Sequence, residues 1–251
     1  DIRDQLAGPV PFLGYTDVTA NVRIVAILVE GQPVPTVTAP AEVEVILDQT
    51  PFYAEMGGQL ADTGTLSFSS GGVVDVADVQ APVQGVITHR GTLTEGSLHL
   101  DDTGVARIDA DRRHAIVRAH TATHMVHKAL HEYLGDQATQ AGSENSPSRL
   151  RFDFRHGSAV PAGVLSDIEG RVNQRLAEDL SVTHEVMDIE AAQAAGAVAL
   201  FGEKYGRNVR VVSIGGDWSI ELCGGTHVPS TGHIGLVTVL GEASIGSGIR
   251  R

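Results

Sequence analysis

DRRHAIVRAHTATHMVHKALHEYLG, residues 111–135, is the stretch from which the rest of the chain is read. Asp111 predicts an N-cap and Gly135 a C-terminal stop, which gives one helix of about 23 residues. Ala119, Ala122, Val126, Ala129 and Tyr133 recur at three- and four-residue steps and predict an apolar face. His120, His124, His127 and His131 form a stripe on the opposite side, within roughly 60° of one another at about 100° per residue. Side chains four apart on a helix lie above one another, so His120 and His124 can converge on a single ion. Far along the chain, Cys223-Gly224-Gly225-Thr226-His227 adds a thiolate and a third imidazole, with the glycines expected to fold the backbone sharply. Three imidazole nitrogens and one thiolate make a tetrahedral set that suits Zn²⁺ better than Mg²⁺ or Ca²⁺. Spacing alone does not choose between His120/His124 and His127/His131, and many HxxxH pairs are ordinary surface or core histidines.

Length and composition set the bounds. At 251 residues with 42% hydrophobic content, the chain can hold one large domain or two modest ones with real cores. No apolar run is long enough to span a bilayer, and no charged-then-apolar segment opens the chain. The single cysteine excludes an internal disulfide and fits a reducing, cytoplasmic compartment. The chain starts at Asp1 rather than Met and stops at Arg250-Arg251, which reads as a piece of something longer. The net charge of −13 is uneven: residues 1–110 carry 4 Lys/Arg against 15 Asp/Glu, residues 111–251 carry 14 against 16. A polyanion is therefore expected to approach the second half, where Arg112, Arg113, Arg118, Arg149, Arg151 and Arg155 gather. Its affinity there should be weak and sequence-independent, since six arginines are as readily a solvated face as a patch.

From Tyr15 to about Asp109 the pattern predicts strands. Residues 22–29, 41–47, 64–68, 73–76, 85–88 and 105–108 alternate or run apolar, with turns at 30–33, 70–72 and His89-Arg90-Gly91. Many short strands with frequent turns predict a small barrel, which closes its own edges. Within it, residues 51–60 place a Gly-Gly turn among Phe52, Tyr53, Glu55 and Gln59. Such a segment is either a plain turn with a carboxylate in solvent or a loop that brings backbone N–H groups and Gln59 to a ligand.

After the histidine helix, residues 142–147 read as a loop and Arg149–Phe154 as a strand. Pro161 opens a second helix with Leu165, Ile168, Val172 and Leu176 on its buried side. A strand at 182–187 and an Ala-rich helix from Asp188 to about Leu200 follow, then closing strands at 208–214, 218–222 and 234–240. Helices mixed with an expected antiparallel sheet make this half α+β.

Taken together, the motifs resemble the editing region of alanyl-tRNA synthetase and the free-standing AlaX proteins. The resemblance runs in order along nearly the whole chain. It rests on Phe52-Tyr53-Ala54-Glu55-Met56-Gly57-Gly58-Gln59, His120-Thr121-Ala122-Thr123-His124, Gln140-Ala141-Gly142-Ser143 and Arg149–Phe154. Leu200-Phe201-Gly202-Glu203-Lys204-Tyr205-Gly206 and Glu221-Leu222-Cys223-Gly224-Gly225-Thr226-His227 complete it. One departure is Met56, where relatives carry a smaller residue. The resemblance selects His120, His124, Cys223 and His227 as zinc ligands. It implies an α+β chain: an N-terminal small β-barrel module with the glycine-rich loop (1–110), then an α+β zinc-binding editing core (111–251). The implied activity is hydrolysis of Ser-tRNA(Ala), and of Gly-tRNA(Ala), at the ester to the terminal adenosine. Gln140, Cys223, Thr123, Glu55 and Gln59 are the residues expected to act there, with Gln140 contacting the substrate or its water. Gln140 also reads as a surface amide, and Thr121 and Thr123 as helix-packing residues. The implied partners are the tRNA(Ala) acceptor end and other domains of a parent synthetase, with no membrane.

Four protein ligands usually mark a structural zinc, whereas a catalytic one keeps a place for water. The expectation here is a zinc at the reaction centre that activates water or polarises the ester. Other readings are a free-standing trans-editing deacylase, a non-catalytic zinc module that positions tRNA, and the related threonyl-tRNA synthetase editing domain.

Overall fold

The computed structural model describes residues 2–199 and 204–251. They group into two compact units, the first running to Met56 and resuming from Leu60 to Arg113, the second holding Gly57–Gln59 and everything from His114. The glycine-rich loop is therefore divided: Glu55 and Met56 belong to the first unit, Gly57, Gly58 and Gln59 to the second.

The first unit is a closed barrel. Its strands in chain order are β1 (Thr19–Val29), β2 (Gln32–Pro33), β3 (Thr36–Thr38), β4 (Ala41–Leu47) and β5 (Gly64–Phe68). They continue with β6 (Val73–Val83), β7 (Val86–Glu95), β8 (Ser97–His99) and β9 (Thr103–Ile108). Antiparallel pairing runs β1-β4-β7-β6-β5-β9 and returns to β1, where Asn21 lies opposite Val105, so the six strands leave no open edge. Strands β3 and β8 pair outside this ring. Alternation decides what faces in: along β4, Val43 and Val45 are buried while Glu42 is exposed, and along β5 Leu66 and Phe68 are buried while Thr65 and Ser67 are exposed. Phe52, Ile24, Leu93 and Leu98 fill the interior with them. Each such side chain contributes about 1.5–3 kcal/mol by leaving water.

His89-Arg90-Gly91 is not a turn. It lies inside β7, where a Cβ on Gly91 would come within 1.9 Å of the Asp75 carbonyl oxygen of β6. The glycine is there for close strand packing and not for chain reversal. Arg113 ends the unit in a buried ion pair, its Nε donating to Asp62 Oδ1 at 2.9 Å. Its remaining nitrogens donate to the carbonyls of Gly14 at 2.7 Å and Pro51 at 3.0 Å.

The second unit is built on α1 (Ala110–Leu134), which belongs to it from His114 onward. The helix starts two residues before the expected position, since its cap is Asp109, not Asp111, with Asp109 Oδ1 accepting from Arg112 N at 3.0 Å. Gly135, at φ +93°, stops it as expected. The predicted two-faced pattern is replaced by burial nearly all round: residues 119–125 are all buried, Met125 completely, while Tyr133 is exposed. The helix core packs with Phe152 and Phe154 on one side, and its threonines and histidines are enclosed as well.

Residues 142–146 of the expected 142–147 loop belong to β10 (Gln140–Ser146), which pairs in a hairpin with β11 (Arg149–Arg155). Then come α2 (Ala162–Ala177), β12 (Val182–Asp188) and α3 (Ile189–Ala194). Ile168, Val172 and Leu176 are the buried face of α2, with Leu165 half-buried. The Ala-rich helix is short, ending at Ala194 before Gly196 at φ +81°. Strands β13 (Asn208–Ile214) and β14 (Ser219–Leu222) extend β12 into an antiparallel sheet. Strands β15 (Ser244–Gly246) and β16 (Ile249–Arg250) join β11.

The expected strand at 234–240 does not form. Its backbone is held by side chains of α2 instead: Asn173 Oδ1 accepts from Val237 N at 2.9 Å, and Glu169 Oε2 accepts from Val239 N at 2.6 Å. The chain is thus α+β, with a barrel followed by helices and small antiparallel sheets. No helix among the described residues is long and apolar enough to cross a membrane.

Candidate metal centre

His120 and His124 lie one turn apart on α1, and Cys223 and His227 lie on the turn that leaves β14. Their four ligand atoms lie within 4.8 Å of one another. Cys223 Sγ is 3.4 Å from His120 Nε2 and 3.4 Å from His227 Nε2. Zinc bond lengths of about 2.3 Å to sulfur and 2.0–2.1 Å to nitrogen give a tetrahedral S···N edge of about 3.6 Å. The sulfur edges therefore already match a small tetrahedral ion.

Hydrogen bonding fixes the ring orientations. His120 Nδ1 donates to Gln59 Oε1 at 2.8 Å and His124 Nδ1 to Glu221 Oε2 at 2.7 Å, while His227 Nδ1 shares a hydrogen bond with Thr121 Oγ1 at 2.9 Å. With each Nδ1 engaged, each Nε2 is the nitrogen left to face an ion, the usual arrangement around metal-bound histidines. His124 Nε2 is buried without a hydrogen-bond partner, an arrangement that a bound cation would satisfy.

The turn itself is shaped by packing. Neither Gly224 nor Gly225 has a positive φ, so the turn does not draw on glycine's left-handed freedom. Gly225 is needed for space, since a Cβ there would meet His120 Cε1 at 2.1 Å and Gln59 Oε1 at 2.8 Å. Arg210 Nη1 donates to Gly225 O at 2.7 Å and ties the turn to β13.

The electrostatics favour a thiolate. Burial opposes ionisation of Cys223, but the surrounding His120, His227 and His124 outweigh it and hold the thiol well below its usual value. Burial also opposes charging of His124, and the Glu221 carboxylate with the Cys223 thiolate overcomes this and pushes it up to about 10. Burial, then the neighbouring His120, push His227 down to about 3. Metal entry at this centre would release the His124 proton.

The other expected site residues fall in several places. Gln59 is buried, and its amide is fully used: Oε1 also accepts from Thr226 N at 2.9 Å, and Nε2 donates to Thr226 Oγ1 at 2.7 Å. It holds the ligand His120 and the Cys–His turn together. Thr123 is also turned to packing, with its hydroxyl 2.9 Å from Ala119 O and 2.5 Å from Asn145 Oδ1. Gln140 stands half-buried on β10 with Nε2 donating to Ser143 Oγ at 2.9 Å. Glu55 is exposed in the first unit, its carboxylate 3.5 Å from Gln80 Nε2. Leu200-Phe201-Gly202-Glu203 of the glycine-tyrosine motif lies outside the described residues. Glu221 and Asn145 were not singled out from the sequence. The signal for Glu221 was strand alternation, because residues 221 and 223 fall on one side of an extended chain.

His127 and His131, which spacing left open, do not join the group. His127 Nδ1 donates to the other oxygen of Glu221 at 2.8 Å, and its ring packs against His131 at 4.3 Å between centroids.

Comparison with known proteins follows the same division. Residues 3–112 match the profile of class II (A) tRNA synthetases, and residues 209–251 match that of the threonyl and alanyl tRNA synthetase second additional domain. The alanine–tRNA ligase of Acidothermus cellulolyticus is 56% identical over 248 residues, which is 99% of this chain and 28% of the relative. That of Bifidobacterium longum is 56% identical over 253 residues (100% and 28%), and that of Kineococcus radiotolerans 54% over 248 residues (99% and 28%). The chain thus spans little more than a quarter of the length of these curated relatives. Because more than half of its residues are shared with them along its whole length, the chain belongs to the alanyl-tRNA synthetase family.

Proposed function

We propose that this chain is the editing part of an alanyl-tRNA synthetase, which hydrolyses Ser-tRNA(Ala), and secondarily Gly-tRNA(Ala), at the aminoacyl ester. The observation that carries the reading is the convergence of His120, His124, Cys223 and His227 with every Nδ1 already engaged. We take the ion they would hold to be Zn²⁺, for which this donor set is typical. Bound there, zinc supplies Lewis-acid chemistry that polarises an ester carbonyl or activates water.

The chain's own residues do the rest. Gln59, Thr121 and Glu221 hold the ligand rings in register. Gln140, on the strand that also carries Asn145, presents its amide to the amino acid or to the attacking water. Glu55 and Thr123 are proposed only as supporting residues.

Selection against alanine follows from chemistry. A synthetic site cannot reject serine strongly by size, because one extra hydroxyl costs a hydrophobic pocket little. A second site that hydrogen-bonds that hydroxyl leaves buried polar groups unpaired when alanine enters, which spares the correct product. The acidic first unit is a poor surface for phosphates. The partners are the acceptor end of tRNA(Ala) and the parts of the synthetase outside this chain, in the cytoplasm, where a free thiolate stays reduced.

A second reading is favoured by the four-ligand set, which resembles closed structural sites: a zinc-stapled module that positions tRNA without cleaving it. Deacylation of Ser-tRNA(Ala) and Ala-tRNA(Ala), with and without a chelator, separates the two. The editing reading expects serine release, alanine sparing and loss of activity on chelation. Zinc-loaded protein that leaves both esters at the uncatalysed rate would establish the binding module. Cys223→Ala refines the result: lost deacylation with fold and zinc retained places the ion at the chemistry.

A further inference from the structure

We infer that Glu221 is a positioning residue for the metal centre: a single buried carboxylate that orients His124 through one oxygen, braces His127 through the other, and balances the charge of a divalent ion. The inference rests on the metal reading above and extends it to a residue outside the ligand set.

Glu221 lies on β14, two residues before Cys223, and is 4% exposed. Its carboxylate pairs with two imidazoles and with no lysine or arginine among the described residues. Oε2 accepts from His124 Nδ1 at 2.7 Å and Oε1 from His127 Nδ1 at 2.8 Å. Holding Nδ1 turns His124 Nε2, which has no other partner, towards the group that contains the Cys223 sulfur. The second arm fixes where the carboxylate itself stands, because His127 is buried and packed against Phe152. Glu221 is thus clamped between two helix positions and cannot swing away from His124.

Charge gives a second reason. One thiolate and three neutral imidazoles leave a divalent ion with one uncompensated positive charge inside the protein. A buried unbalanced charge is costly, and Glu221 removes the imbalance without occupying a ligand position. It also separates the histidine pairs that spacing could not: His124 is oriented to the thiolate, and His127 is committed to the carboxylate as a brace.

The test is zinc affinity, measured by competition with a chromophoric chelator on the parent protein, Glu221→Gln and Glu221→Asp, alongside melting of the metal-free proteins. Glu221→Gln should bind zinc 10- to 100-fold more weakly. Its metal-free melting should fall as well, because the buried His124–Glu221 pair is broken, so affinity is the deciding readout, and Glu221→Asp should recover part of it. Affinity of Glu221→Gln within twofold of the parent would overturn the inference. So would a fall in metal-free melting with affinity unchanged, since that is the mark of a core link alone. If Glu221→Gln does not fold, Glu221→Asp carries the test: its shorter reach should cost several-fold in affinity, and parent-like binding would overturn the proposal. A parent protein that binds no zinc refutes the metal reading itself, which is distinguishable from a parent that binds and a variant that binds equally.

Discussion

His89 sits at the barrel wall, with its ring wholly enclosed and both nitrogens engaged. Nδ1 donates to Val45 O at 2.9 Å, so Nε2 accepts from Thr50 Oγ1 at 2.7 Å, and Thr50 in turn accepts from Phe52 N at 3.0 Å. Burial pushes this histidine down to about 4, against the backbone bond to Val45. The unfolded chain takes up the proton near pH 6.5 while the folded barrel resists it to about 4. Stability is therefore present above pH 6.5 and is lost as pH falls through that window. The loss is on the order of 2 kcal/mol at pH 5 and about 3 kcal/mol at pH 4. Denaturant unfolding followed by far-ultraviolet circular dichroism at pH 7 and pH 5 measures it. A His89→Gln variant should show a smaller drop between the two, and an equal drop would assign the effect elsewhere. At the metal centre the residue-scale test is steric. Gly225→Ala places a methyl 2.1 Å from His120 Cε1, so the ring must move and zinc affinity should fall at least tenfold. Gly224→Ala, where an added Cβ meets nothing within 4 Å, should bind zinc as the parent does. Equal behaviour of the two variants would remove the close-packing account of the turn.

Elements were legible where local pattern and tertiary demand agree. Strands β4 and β5 alternate because one face meets the barrel core and the other meets water, and that alternation is written in Val43, Val45, Leu66 and Phe68. The helix α1 was legible in extent but not in surroundings. Its histidines read as a stripe opposite the apolar face, yet they and the threonines are enclosed by partners from β10, β14 and the glycine-rich loop, which local periodicity does not reveal. Strand β10 does not show in the sequence because Gly142, Ser143 and Asn145 have loop-like preferences, and its pairing with β11 decides its state. Residues 234–240 failed the opposite way. Their apolar pattern suits a strand, but Asn173 claims the backbone of Val237 through both ends of its amide, at 2.7 and 2.9 Å. Asn173→Ala should then leave one N–H and one C=O without protein partners, at a cost of about 1–3 kcal/mol. Urea unfolding monitored by tryptophan fluorescence reads this, and an unchanged midpoint would mean that water replaces the amide without loss.

The whole chain carries separate hydrophobic cores, one inside the barrel around Ile24, Leu66 and Leu93, another around Met125, Phe154, Ile168 and Ile214. The candidate ligands all belong to the second unit. Binding energy enters folding only through the state that binds, so zinc should stabilise the unit that contains the centre. The single tryptophan reports on that unit. Trp218 is buried in its core, donates from Nε1 to Glu132 Oε1 at 2.7 Å, and lies under the Arg175 guanidinium at 4.8 Å. The barrel has no tryptophan. Zinc at about 100 times its dissociation constant adds about 2.7 kcal/mol, or roughly 10 °C in melting temperature for a unit of this size. Tryptophan fluorescence should therefore show a melting transition that moves up by that amount with zinc and returns with chelator. The barrel's circular dichroism should keep a component that does not move, while its acid sensitivity through His89 should persist with or without metal. A zinc shift of equal size in both signals would mean that the units melt as one block. No shift in the tryptophan signal at saturating zinc would exclude His120, His124, Cys223 and His227 as a site that binds in the folded state.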